Sequence, residues 1–170
     1  MNFKLFPLHT GIWKGSYTRL APDGITLFTH KSRLTFRLDG NEWRQTNYYE
    51  FPDGRVEFHN FGIAPFDENG ILHFDNPRIL GTSWETNNSI CLQWTYKSEP
   101  GSMLYEIINI IEPGHRMRVW QHARHGVFEG ITMIEEWQVA KQDAVPMAHF
   151  DQKSYIKMPE AIAQCPLSIF

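Results

Sequence analysis

Six tight-turn signals recur at short intervals: Pro22-Asp23-Gly24, Asp39-Gly40, Pro52-Asp53-Gly54, Asn69-Gly70, Glu99-Pro100-Gly101 and Glu112-Pro113-Gly114. In each, residues that open a reverse turn stand directly before a glycine able to take positive φ. The runs between them are rich in β-branched and aromatic residues and hold no sustained helical period. A chain punctuated in this way folds as a meander of antiparallel strands. The spacing predicts strands over 11–21, 25–38, 42–51, 55–61, 70–75, 78–85, 89–97, 102–112, 115–124 and 127–140. Helix is confined to a turn within 2–9 and another near 159–164.

A flat sheet of that many strands would carry two unpaired edges, and closure removes them. The expected fold is therefore all-β: a single up-and-down antiparallel barrel of eight to ten strands. The whole chain, 1–170, is expected to be one domain, with the barrel over about 8–140 and a tail over 141–170. Met147, Phe150, Tyr155, Ile156, Met158 and Phe170 make that tail too apolar for a solvated linker, so it should pack over one barrel end or the outer wall. Sixteen basic against nineteen acidic residues give a formal charge of −3, scattered without a basic stripe, which argues against nucleic acid as a partner. There is no apolar run of about 18 residues and no signal-like start, so membrane insertion is not expected and a cytoplasmic location is. Two cysteines, Cys91 and Cys165, are too few for a disulfide framework. Unpaired edges and the apolar tail leave a homodimer open.

Aromatic residues make up 14% of the chain, either as core filling or as the walls of a ligand site. Strand parity sorts them. Over 25–38, Phe28, His30, Ser32, Leu34, Phe36 and Leu38 share the face that should look inward. Trp43, Gln45, Asn47, Tyr49 and Phe51 do so on the next run, followed by Ile90, Leu92, Trp94 and Tyr96, then Met103, Tyr105, Ile107 and Asn109. Over 115–124 the parity is open. Arg116, Arg118, Trp120, His122 and Arg124 form either a basic outer face or an inward set, with Arg118 and His122 meeting an anionic ligand. A buried arginine would need a carboxylate, which Glu129, Glu135 or Glu136 could supply. His30 reads as a histidine of a polar patch or as a ligand-contacting or acid/base group. Trp13, Trp43 and Trp137 read as core, and Cys91 as a small apolar wall residue. His122 and His125 would point to opposite faces of a strand, which argues against a metal site. No nucleophile elbow, P-loop or dinucleotide turn is present, so no cofactor is expected.

The stretch Gly11-Ile12-Trp13, at the start of the first strand of such a meander, resembles the lipocalin and calycin barrels. In those barrels the tryptophan closes the bottom of the core and the glycine lets the preceding segment pass beneath it. Over a longer span, "GIWKGSYTRLAPDG", "RQTNYYEFPDGR" (44–55) and "GITMIEEW" (130–137) resemble an uncharacterised lipocalin-like family common in cyanobacteria, a domain of unknown function related to the phycobilin lyase barrels. The resemblance covers about 8–140 and implies a barrel with a pocket.

Two functions follow as expectations. The first is a binding module holding one hydrophobic or amphipathic small molecule, with Asn47, Tyr49, Trp94, Tyr105, Arg118 and Trp120 as its contacts. The second is a cofactor-independent cyclase or isomerase acting on a polyene or terpenoid-like substrate, with His30, His122 or Glu136 as proton donor. Kinship to bilin lyases adds chromophore delivery as a further reading, and a filled structural core is the plainest.

Overall fold

In the computed structural model, which describes residues 3–159, all six turn glycines take positive φ, between 62° and 87°. They help to delimit ten long or medium strands: β1 (Gly11–Leu20), β2 (Thr26–Asp39), β3 (Glu42–Glu50), β4 (Val56–Pro65), β5 (Leu72–Asp75), β6 (Ile79–Glu85), β7 (Ile90–Tyr96), β8 (Ser102–Glu112), β9 (His115–Arg124) and β10 (Val127–Ala140). A short β11 (Tyr155–Lys157) follows in the tail. The order in the sheet is β11-β4-β3-β2-β1-β10-β9-β8-β7-β6-β5, antiparallel throughout. Pairing of β1 with β10 brings the two ends of the meander together, with Gly15 opposite Glu136 and Tyr17 opposite Ile134.

The curl does not close. Between β4 and β5 the only ladder contact among the described residues is the isolated bridge Phe66↔Leu72. The expected closed barrel of eight to ten strands is thus an open, eleven-stranded curl. Two features of β4 account for the gap. Its outer edge at Val56–Phe58 is taken by β11, and beyond that Gly62 at φ 72° and Pro65, which has no N–H, interrupt the row of donors that β5 would need. Two side-chain contacts cross the seam: Asn76 Nδ2 donates to the carbonyl of Phe61 (3.3 Å), and Arg78 Nη1 to the ring of His59 (2.8 Å).

The N-terminal 3-10 turn, Phe6–His9, plugs one end of the curl. The backbone leading into it is held by Glu85 of β6, whose carboxylate accepts from the N–H groups of Lys4, Leu5 and Phe6 at 3.0, 2.7 and 2.7 Å. Behind it Trp13 is wholly buried, with Nε1 donating to the carbonyls of His9 (3.0 Å) and Thr10 (3.2 Å). A Cβ at Gly11 would strike the Ala140 carbonyl. One at Gly15 would strike the Glu135 carbonyl and lie 2.8 Å from Cγ of Glu136, so the second glycine leaves room for the Glu136 side chain.

The tail crosses the outer wall. Val145 and Phe150 are buried, His149 Nε2 meets Thr46 Oγ1 at 2.7 Å, and β11 extends the sheet beside β4. Tyr155, Ile156 and Met158 remain exposed. Most of the helical turn expected near 159–164, together with Cys165 and Phe170, lies outside the described residues. Trp137, expected in the core, is 48% exposed and stacks on His115 with ring centroids 5.0 Å apart. Its strand alternates, and the inward positions go to Ile134 and Glu136.

Candidate functional site

Inside the curl, alternation on β9 resolves the open parity: Arg116 and Arg118 point inward and are 1% and 4% exposed. Two arginines cannot be buried without countercharge. Glu136 on β10 supplies one, accepting from Arg116 Nε at 2.6 Å and from Arg118 Nη1 at 3.3 Å. Glu106 on β8 supplies the other, accepting from Arg118 Nε at 2.5 Å. Tyr17 OH accepts from Arg118 Nη1 (3.0 Å), and His9 Nδ1 accepts from Arg116 Nη1 (3.2 Å). The guanidinium of Arg116 lies 4.2 Å from the Trp13 ring centroid and 4.8 Å from that of Phe36.

Protonation follows from this packing. Burial, then the positive charges of Arg116 and Arg118, push His9 down to about 2, so it is neutral and can accept. Burial alone would raise Glu136, but the two guanidiniums and their hydrogen bonds hold it below the ordinary carboxylate range. Burial takes Tyr17 well above its usual value and Tyr49 up to about 12.

This cluster forms part of the lining of a cavity shared by strands on both sides of the seam. Its empty volume is about 820 Å³ counted out to the mouth, and the centre of a water molecule can move through about 80 Å³ of it. That suits a slim or flat molecule and excludes a bulky one unless side chains move. Trp94 and Trp120 meet edge to face at 5.1 Å, and Tyr17 meets Trp120 and Tyr49 at 5.3 Å each. On β3 the inward side chains form a polar rail: Gln45 Nε2 donates to Asn47 Oδ1 (3.0 Å) and Asn47 Nδ2 to Tyr49 OH (2.7 Å). Two lining residues each carry a buried donor with no partner among the described residues, Arg116 Nη2 and Trp120 Nε1, and both atoms are covered by surrounding side chains. Nearer the seam the lining includes His59, Phe61, Arg78 and Tyr96.

Of the residues singled out from sequence, Asn47, Tyr49, Trp94, Arg118 and Trp120 line this cavity together. Glu136 stands behind it, bound to both arginines. Tyr105 does not line it: 46% exposed, it shares the outer face of β8 with Met103 and Ile107, while Leu104, Glu106 and Ile108 point inward. Both faces of that strand are apolar, so the single charged residue marked the inner face as the outer one. His30 and His122 also lie outside the lining. His30 stacks on Phe51 (4.5 Å) and Tyr17 (5.0 Å), and His122 Nε2 meets Thr132 Oγ1 at 2.8 Å. Burial first, then Arg55 for His30 and Arg19 for His122, lowers each to about 4. Arg124 is at the surface, paired with Glu99 and Glu129. Sequence reasoning missed Glu106, His9, His59 and Arg78. A charge flanked by Leu104 and Ile108 at period two was the available signal for the first, and nothing local marked the others.

Among the described residues no helix is long and apolar enough to cross a membrane. No curated protein matches the chain. Among solved structures, a protein of unknown function from the DUF3598 family of Nostoc punctiforme PCC 73102 is similar at 16% identity and a TM-score of 0.59, over 78% of this chain and 48% of that one. Rv2717c from M. tuberculosis is similar at 16% identity and a TM-score of 0.54, over 79% of this chain and 94% of that one. The chain spans about half the length of the Nostoc structure, and at these identities the likeness is one of fold. The family model described as the N-terminal part of the domain of unknown function DUF3598 matches residues 2–141, and the chain belongs to that family.

Proposed function

We propose that the protein is a small-molecule binder of the lipocalin-like kind, holding one slim amphipathic molecule in the cavity of the curl. The observation that carries this reading is a cavity whose aromatic walls, Tyr49, Trp94, Tyr96 and Trp120, are joined to a few polar side chains, among them Gln45, Asn47 and Arg78. A buried donor without an acceptor is costly, so a ligand whose carbonyl or hydroxyl oxygen reached Arg116 Nη2 or Trp120 Nε1 after a small side-chain shift would gain by satisfying it. Arg116 and Arg118 are already matched by Glu106 and Glu136, so the deep end asks for a neutral acceptor. Trp94, Trp120 and Tyr49 would flank the apolar body, with Asn47 as a further polar contact.

A cofactor-independent cyclase or isomerase is the alternative, with His30, His122 or Glu136 giving the proton. The observations favour binding. Glu136 is held as a carboxylate with no proton to give near neutral pH, and both histidines stay neutral outside the cavity lining. Native mass spectrometry of protein purified from a host fed a lipophilic extract tests the proposal. It predicts a discrete added mass that leaves on denaturation; protein that stays empty across several extracts would contradict it.

A further inference from the structure

Three arginines line the cavity, and their countercharges differ. Arg116 and Arg118 are paired with glutamates, whereas Arg78, in the turn between β5 and β6, has no carboxylate partner among the described residues. Its contacts are the ring of His59, with Nη1 2.8 Å from Nδ1 and 2.9 Å from Nε2, and the face of Tyr96, whose ring centroid is 5.4 Å from the guanidinium carbon. We infer that Arg78 is the head-group site of the cavity and that the ligand is a slim amphipathic monocarboxylate. The inference rests on the reading of the cavity as a binding site and goes on to name the ligand's class.

The surrounding charges support a single negative group. On β4, His59 Nε2 meets Glu57 Oε2 at 2.8 Å, and Arg78 Nη1 lies against the ring, 2.8 Å from Nδ1 and 2.9 Å from Nε2. Burial, then Arg78, lowers His59 to about 4, so the ring carries no charge near neutral pH. Glu57 is itself paired with Arg55. On the other side of the turn Asp75 is paired with Lys97 at 2.6 Å, and on β7 the phenol of Tyr96 is raised by burial and stays neutral. Asp53 also approaches Arg55, at 3.9 Å, so the wider network is balanced, and Arg78 is the one cavity-lining arginine with no carboxylate in contact among the described residues.

A guanidinium offers two parallel N–H groups that fit a carboxylate, and a single charge matches a monoanion better than a phosphate dianion. Position is also fixed. The backbone N–H of Arg78 donates to Asn76 Oδ1 (2.9 Å), its carbonyl accepts from Lys97 N (2.9 Å), and Asn76 ties the turn across the seam to Phe61. From this anchor an apolar chain would run past Phe61, Leu92 and Tyr96 toward Trp94 and Trp120.

The test compares 4-phenylbutyrate with 4-phenylbutan-1-ol, which share a body and differ in the head, by quenching of tryptophan fluorescence near pH 7. A charge-assisted pair predicts that the acid binds about 10- to 100-fold more tightly than the alcohol. In Arg78→Gln the preference should fall to within about threefold, with alcohol affinity unchanged; Arg78→Lys should keep part of it. Equal affinities in the unaltered protein, or a preference that survives Arg78→Gln, would overturn the assignment and leave the cavity reading standing. Failure of both probes to bind would overturn both. Should Arg78→Gln not fold, the wild-type ratio and Arg78→Lys still decide.

Discussion

Replacing Glu136 by glutamine changes almost no volume and isolates the electrostatics of the buried cluster. The side chain is fully buried and serves two guanidiniums, Arg116 Nε at 2.6 Å and Arg118 Nη1 at 3.3 Å. With glutamine there, two buried arginines face only Glu106. Removing one partner of a buried ion pair costs about 3–5 kcal/mol, because the remaining charge is left uncompensated. For a chain of this size that corresponds to a fall in Tm of roughly 6–20 °C. Adding Arg116→Met restores neutrality, and the methionine can occupy the slot between Trp13 and Phe36 that the guanidinium fills now. Denaturant unfolding followed by fluorescence should show the double variant to be more stable than the sum of the single losses by about 2 kcal/mol or more. A loss below about 1 kcal/mol for Glu136→Gln, or simple additivity in the double variant, would refute the picture of a charge-balanced interior.

Further outcomes follow from the same geometry. His9, His30, His59 and His122 are all held neutral, with values lowered to about 2 for the first and about 4 for the others. Above the unfolded value of about 6.5 both states are neutral and stability is at its full level. As pH falls from there toward 4 the unfolded chain takes up protons that the native state refuses, at up to about 1.4 kcal/mol per pH unit for each buried group and less for the partly buried His30 and His122. Unfolding midpoints measured from pH 7.5 to 4.5 should therefore drop steadily below pH 6.5; a flat profile would be inconsistent with neutral buried histidines. Gly15→Ala should lower stability by at least about 2 kcal/mol, since its Cβ meets both the Glu135 backbone and the Glu136 side chain; a melting curve unchanged from wild type would show that the two strands can separate cheaply. Truncation after Lys141 removes the buried Val145 and Phe150 and bares the β4 edge, so about 3 kcal/mol should be lost and the shortened protein should self-associate in sedimentation.

The meander was legible because turn chemistry is local. A glycine behind Asp, Asn or Pro announces its own φ, and all six turns formed where the sequence placed them. The inward side of β3 and β7 was legible too, since Asn47, Tyr49 and Trp94, which line the cavity, stand on faces whose alternate residues are plainly different. Where both faces of a strand look alike, as on β8, parity misled: Tyr105 lies outside and Glu106 inside. The ion cluster was half visible. Glu136 was among the possible partners for a buried arginine, but pairing with Glu106 and His9 depends on cross-strand register, which no local pattern encodes. The open seam escaped for a similar reason, because the strand that caps β4 comes from the tail, nearly a hundred residues later in the chain.

The central claim is that the cavity beside Trp120 and Arg116 takes a ligand. The indole and guanidine N–H resonances of 15N-labelled protein, recorded during titration with 4-phenylbutyrate, address it most directly. The account predicts saturable shifts of Trp120 Nε1–H, with Trp13 Nε1–H unmoved because it is sealed and already bonded to His9 and Thr10. Shifts confined to the exposed Trp137, or none at saturation, would contradict it.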